Sequence, residues 1–229
     1  GTARTGATVM LSPSGLPARI RSIHAQNRPA EAAIAGQRAA LNLAGDGISK
    51  EAIARGDVAL DPALHAPTSR IDAELTVLSR EPKPLGTWFP ARLHSGAAEV
   101  GARLVPLSGS LEPEGTGLVQ LVLDAPIAAA VGDRFILRDV SQQRTIGGGR
   151  FLDLRPPARK RAAPERLALL TAMSAPEADR AFRLMLELGP VDLADFARDR
   201  ALGPEEAEAI RRGAEARMLD RLAIRAAQL

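Results

Sequence analysis

The sequence predicts a mainly β protein with an α-helical C-terminus, built as two β-barrels, the first incomplete, followed by a winged-helix domain. Residues 1–156 consist of short apolar runs cut by Gly, Pro and Asn clusters, a pattern of strands and turns. The stretch RPPARKRAAP, residues 155–164, interrupts it with a proline pair and a basic cluster. Beyond that stretch the apolar period lengthens to that of a helix. The expected domains are residues 1–63, 64–156 and 157–229.

In the first domain the expected strands are residues 8–11, 18–23, 38–43 and 58–60. Pro13, Gly15 and residues 42–47 supply turns, and Gly36 and Gly56 punctuate strand entries. These are too few strands to close a barrel. A second series follows at 71–78, 86–94, 97–106 and 117–123, with EPKPL (81–85) and LEPEG (111–115) as loops, because proline cannot donate to a ladder. Strands at this spacing predict a barrel. Past the linker, Leu167, Leu170, Ala178, Phe182, Met185 and Leu188 can share an apolar face, and Gly189 with Pro190 stops the helix. A short segment at 191–193, a helix over 194–201 and a helix opening with Pro204 in its first turn complete a winged-helix order, with the wing near 218–224. Composition and period both change across 155–164, so that stretch is expected to be the main hinge.

Residues 131–152, VGDRFILRDVSQQRTIGGGRFL, are the most informative segment. Phe135 and Leu137 alternate into a core, residues 139–143 turn, and the chain returns through Ile146 and three glycines to Phe151. This hairpin resembles the last hairpin of the third domain in translational GTPases of the elongation factor Tu type, where an arginine-phenylalanine strand leads to an arginine-threonine-hydrophobe-glycine run. Those positions are residues 134–138 and 144–149 here. The filling by Ser141, Gln142 and Gln143, and the third glycine, make it most similar to the selenocysteine-specific elongation factors of bacteria. A second block, IRSIHAQNRPAEAAIAGQRAALNLAG at 20–45, resembles the middle of the second domain in the same family. The resemblance rests on specific motifs over residues 6–154, and on position and pattern over 160–229.

The resemblance makes both barrels of translation-factor type and implies a truncated chain. A GTPase domain with GTP and Mg would precede the second domain, and further winged helices that bind a messenger RNA hairpin would follow. The intact factor would deliver selenocysteyl-tRNA to the ribosome, as a cytoplasmic monomer. Within this chain the AGQR turn, residues 35–38, is implied to lie over the aminoacyl pocket, with Arg38 where elongation factor Tu carries a neutral asparagine and Gln26 opposite a pocket histidine. A selenol is largely ionised at neutral pH, whereas the serine from which selenocysteine is made on the same tRNA stays neutral. Arg38 is therefore expected to favour the anion through a charge-assisted hydrogen bond, and Arg21 to add positive potential. Arg138, Asp139 and Arg144 at the hairpin tip, with His94 between strands, are implied to meet the tRNA arm beside the acceptor stem.

Composition narrows the classes further. The chain has 229 residues, 45% of them hydrophobic and 25% charged, and no cysteine, which removes disulfides, thiolate nucleophiles and cysteine metal sites. No apolar run approaches the roughly 18 residues of a membrane span, and no signal-peptide pattern opens the chain, so no membrane partner and a cytoplasmic location are expected. The pI of about 10.1 misleads. The net charge is only +3, and with no tyrosine or cysteine little titrates between His and Lys. No expected domain is strongly basic, so RNA contact has to use local patches.

No Gly-rich turn carries the Lys and Ser or Thr of a phosphate loop, so neither nucleotide binding nor bond chemistry is expected of this chain, and no cofactor. Gly147, Gly148 and Gly149 read instead as a bulge or a tight crossing that needs positive φ. His24, His65 and His94 are too scattered for converging ligands, so no metal is expected. Arg159, Lys160 and Arg161 read as a solvated linker, with an RNA clamp as the alternative. Two rival functions are the barrel portion of a GTPase-coupled sulfate-activating enzyme and a non-catalytic protein-interaction module.

Overall fold

The computed structural model describes residues 1–225, so the last four residues of the expected 157–229 domain lie outside the described residues. The chain divides into two compact units, Gly1–Pro67 and Thr68–Leu229. The first boundary thus falls four residues beyond the expected one, and residues 156 and 157 share a unit.

The first unit contains β1 (Thr2–Arg4), β2 (Thr8–Ser12), β3 (Leu16–Ala25), β4 (Arg28–Ala30), β5 (Ala32–Ile34), β6 (Ala39–Ala44), β7 (Val58–Leu60) and a single 3-10 turn, Pro62–Leu64. β3 is its spine, pairing antiparallel with β2, β4 and β6, while β2 also pairs with β7. β1 and β5 form a separate two-stranded ribbon. The sheets stay open, as the short supply of strands predicts. Ile20, Ile23, Ala25 and Ala33 form the core. The two isoleucines are three residues apart, which strict alternation would place on opposite faces. A register shift between Ile20 and Ser22 keeps both inside, and it puts Arg21 on the bulge.

In the second unit β8 (Thr68–Val77), β9 (Phe89–Ser95), β10 (Ala98–Pro106), β11 (Thr116–Ile127), β12 (Arg134–Arg138) and β13 (Thr145–Asp153) close a barrel in the order β10-β11-β8-β13-β12-β9. Ile71, Ala73, Leu75 and Val77 of β8 alternate into its core, where Phe135 and Phe151 stack with centroids 5.1 Å apart. The two proline loops brace each other: Leu85 and Leu111, both buried, exchange backbone hydrogen bonds of 2.9 and 3.1 Å. The glycine triplet has a different cause from the one expected. None of the three residues has positive φ. A Cβ on Gly149 would lie 1.8 Å from the Glu74 carbonyl oxygen, and one on Gly147 would lie 2.4 Å from that of Thr76. Close approach of β13 to β8, rather than backbone handedness, demands glycine here.

The helical region comprises α1 (Pro164–Met173), α2 (Ala178–Leu188), β14 (Val191–Asp192), α3 (Leu193–Asp199), α4 (Pro204–Gly213), β15 (Ala216–Leu219) and β16 (Leu222–Arg225). From α2 onward the elements run helix, strand, helix, helix and hairpin, with a three-stranded sheet in the order β14-β16-β15 and residues 220–221 at the β15–β16 turn, the element order expected of a winged helix. Local signals explain the breaks. Pro164 and Pro204 open α1 and α4, Gly189 ends α2, and the Asp192 carboxylate accepts the Asp195 N–H at 3.0 Å to cap α3. Phe182, Leu186, Val191 and Phe196 centre the small core, the two rings meeting edge-on at 5.0 Å.

Residues 155–164, expected as the main hinge, are instead fastened to the barrel. Gln120 of β11 donates to the Pro157 carbonyl at 3.2 Å, and the Arg161 guanidinium lies over the Trp88 ring at 5.5 Å. α1 then covers the outside of the barrel, where Leu170 packs with Leu107 and Leu152. A proline-rich, basic composition signals extended chain but says nothing of what that chain lies against. Among the described residues no helix is long and apolar enough to cross a membrane.

Candidate functional site

Gln26 and Arg38 are brought together by backbone geometry. β3 ends at Ala25, opposite Ala39 of β6. Gln26 and Asn27 then take φ of +52° and +63° to turn the chain into β4, as a two-residue hairpin requires. The Gln26 N–H donates to the Arg38 carbonyl at 3.0 Å, so the two residues close the end of the β3–β6 ladder. Arg38 leaves a turn that is itself fixed, because the Ile34 N–H donates to the Gln37 side-chain oxygen at 3.0 Å and the Gln37 N–H to the Ile34 carbonyl at 3.1 Å.

Both side chains are exposed. Every ion pair found among the described residues lies within Thr68–Leu229, so Arg38 and Arg21 have none. An unpaired guanidinium at the mouth of a fixed turn keeps all its donors for an incoming anion. Arg21 stands exposed on the bulge of β3, and neither a hydrogen bond nor an ion pair joins it to Gln26 or Arg38.

The hairpin tip is a folded motif in its own right. The Asp139 carboxylate accepts the Arg144 backbone N–H at 2.8 Å and the Ser141 hydroxyl, and these bonds, the hydroxyl's first, hold its pKa below the usual carboxylate range. Arg138 donates to the Gln142 carbonyl. Arg144 forks onto Glu81 at 3.0 and 3.3 Å, and its side chain stays 48% exposed while that of Glu81 is almost wholly buried. Asp139 therefore shapes the tip, whereas Arg144 still presents nearly half its side chain to solvent. His94 lies on β9 opposite Ile136 of β12 and Glu99 of β10, and its Nε2 is buried with no hydrogen-bond partner. The β9–β12 pairing thus places His94 beside the hairpin.

The sequence reading missed a buried ionic network on the outside of the barrel. Asp72 of β8 is fully buried. It accepts Arg166 Nε of α1 at 3.1 Å and Gln120 Nε2 at 2.8 Å, and Arg166 also reaches Asp153. Burial pushes the Asp72 pKa up, opposed by the bonds from Arg166 and Gln120. A cleft of about 690 Å³ opens beside this network among α1, α2 and α3, lined by Met173, Met185, Leu188 and Phe196. None of the site residues picked from sequence lines it. Among the described residues no group of three or more His, Asp or Glu is placed to hold a metal ion.

Comparison with known proteins places this geometry in a family. The profile for the β-barrel domain of the selenocysteine-specific elongation factor matches residues 72–158. The selenocysteine-specific elongation factor of Escherichia coli is 39% identical over 206 residues, which cover 90% of this chain and 32% of that protein. The factor of Haemophilus influenzae is 33% identical over 178 residues, 77% of this chain and 28% of that protein. The chain thus spans about a third of the length of the curated relatives it matches. Among solved structures, the bacterial selenocysteine-specific elongation factor EF-Sec superposes with a TM-score of 0.73 at 18% identity, covering 99% of this chain and 35% of that one. The factor SelB of Methanococcus maripaludis, in its apo form, gives 0.57 at 20% identity over 68% of this chain and 38% of that one. Over the segment that it spans, the chain belongs to the family of selenocysteine-specific elongation factors.

Proposed function

We propose that this chain supplies the aminoacyl-reading and tRNA-arm contacts of a factor that delivers selenocysteyl-tRNA to the ribosome in the cytoplasm. The observation that carries the reading is the pair Gln26 and Arg38, joined by a 3.0 Å backbone bond at the end of a ladder, with the Arg38 guanidinium exposed and free of ion pairs. A selenolate can accept a charge-assisted bond from it, and a neutral seryl hydroxyl gains far less from the charge. The second barrel contributes Arg144, Arg138 and His94 toward the RNA backbone, with Asp139 holding the tip that presents them. The segment does no bond chemistry itself. GTP and Mg would act in a separate GTPase domain of the intact factor, and a messenger RNA hairpin would be read by winged helices beyond the one present here.

A titration of the 229-residue chain with selenocysteyl-tRNA tests this reading against a plain protein-interaction module. Saturable binding, weakened by Arg144→Ala without loss of fold, is the expected outcome. No binding to tRNA at any salt concentration would leave the interaction module as the better account.

A further inference from the structure

The chain has one tryptophan, and it sits outside the apolar cores. Trp88 lies in the loop before β9 with φ of +61° and 48% of its surface exposed. A bulky side chain in the left-handed region is an outlier that costs conformational energy. Trp88 also belongs to none of the apolar clusters of its unit. Strain and exposure therefore coincide at a residue where glycine would avoid both.

What lies against the ring gives the site its chemistry. The Arg161 guanidinium sits 5.5 Å from the ring centroid, steadied by a 2.9 Å bond from Nη2 to the Ala158 carbonyl, while its Nη1 is buried without a hydrogen-bond partner. Arg159 and Lys160 precede it, both exposed and neither in an ion pair, with Lys160 also turned at φ of +52°. No acidic residue occurs in residues 154–164 or 82–98; Arg92 pairs with Glu99 and Arg155 with Asp199, which leaves Arg159, Lys160 and Arg161 as the cations beside Trp88 that are in no ion pair. A planar aromatic face beside a planar guanidinium, flanked by free cations, is what an unstacked nucleobase and its phosphates recognise.

We propose that Trp88 and Arg161, with Arg159 and Lys160, form a binding site for single-stranded RNA, separate from the aminoacyl pair and the hairpin tip. One base stacks on the Trp88 ring, and the neighbouring phosphates meet the basic side chains. A duplex fits less well, since its base faces are already stacked. An acidic peptide would satisfy the cations and leave the ring unused.

Trp88 is its own reporter. The 229-residue chain is titrated with an eight-nucleotide oligouridylate, following tryptophan emission and the anisotropy of a labelled copy. Emission should quench with saturation, and log affinity should fall with log salt by about 0.7 per phosphate neutralised, so Arg159→Ala with Lys160→Ala should flatten the slope by about 1.4. Trp88→Ala should weaken binding roughly five- to hundredfold, the range of one stacked base, and Trp88→Phe should restore most of it. Inorganic polyphosphate of matched charge should compete poorly. Unchanged emission at saturation, equal affinity of the Trp88→Ala and wild-type chains, effective competition by polyphosphate, or preference for an acidic peptide would each overturn the proposal. Should Trp88→Ala fail to fold, the Arg159/Lys160 slope and the wild-type emission still decide it.

Discussion

Replacing Arg166 with alanine is the most informative perturbation of the fold. Its guanidinium lies between Asp72, which is fully buried, and Asp153, whose side chain is 10% exposed like that of Arg166 itself. The substitution leaves two carboxylates on the outer face of the barrel without their cation, and it removes the tie between α1 and β8. Breaking a buried pair by deleting one partner costs about 3–5 kcal/mol, against roughly 0.2–1 kcal/mol for an exposed pair. Trp88 sits in the same unit, so its emission during urea unfolding reports that unit selectively. With a urea slope of about 2 kcal/mol/M, the midpoint should fall by roughly 1.5–2.5 M. Asp72→Asn should cost less, because it removes the buried charge together with its partner's bond and leaves Arg166 paired with Asp153. A loss below about 1 kcal/mol for Arg166→Ala, or a larger loss for Asp72→Asn, would refute the view that burial makes this network decisive.

Other outcomes follow from the same geometry. Because burial raises the folded-state pKa of Asp72 above 3.8, its contribution to stability is fully present below that value and lost as pH rises through the folded pKa; Asp72→Asn should abolish that part of the stability slope in urea midpoints measured across the acid range. Asp139 has the opposite sign, since the Ser141 and Arg144 bonds lower its pKa: the tip should hold above 3.8 and loosen as pH falls through the lowered value, read as faster amide exchange over residues 140–144, and Asp139→Asn should bring the same loosening at neutral pH. Gly149→Ala places a Cβ 1.8 Å from the Glu74 carbonyl and should destabilise the barrel by about 3 kcal/mol, the upper end for overpacking, with a visible drop in melting temperature. Trypsin should cut residues 159–161 faster in Arg166→Ala than in the wild type, because α1 no longer anchors the stretch that precedes it.

The parts of the fold that were legible in the sequence are those set by local chemistry. β7 and the start of α4 fall where alternation and Pro204 place them, and the 131–152 hairpin forms as its pattern requires. The Asp72 network was not legible for a definite reason. In RIDAELTV the apolar residues Ile71, Ala73, Leu75 and Val77 take one face, so Asp72 reads as a solvent-facing residue of a barrel strand. It is buried only because α1, whose Arg166 is 94 residues later, lies over that outer face, and no alternation rule announces a partner so distant in sequence. Gln120 was hidden in the same way. Of the candidate site, the Gln26 and Arg38 pair was legible only through the family resemblance, since β4 and β5 separate the two in sequence and it is the β3–β6 pairing that brings them together, whereas the engagement of Arg144 by Glu81 depends on a residue of the proline loop 63 positions earlier. The glycine triplet was legible as a constraint but not in its cause, since close approach and positive φ leave the same mark on a sequence.

Whether Arg38 reads the charge of a selenolate is decided by a pair of dissociation constants. They are measured for selenocysteyl-tRNA and for the seryl form of the same tRNA, in the intact factor with and without Arg38→Ala. Arg38 is exposed and unpaired, so its loss should not disturb the fold. Selenocysteyl-tRNA binding should weaken by about 1.5–3 kcal/mol, the range of a hydrogen bond to a charged group, while seryl-tRNA binding changes little. Equal losses for both tRNAs would mean that Arg38 holds the RNA or the barrel, and the discrimination assigned to it would be contradicted.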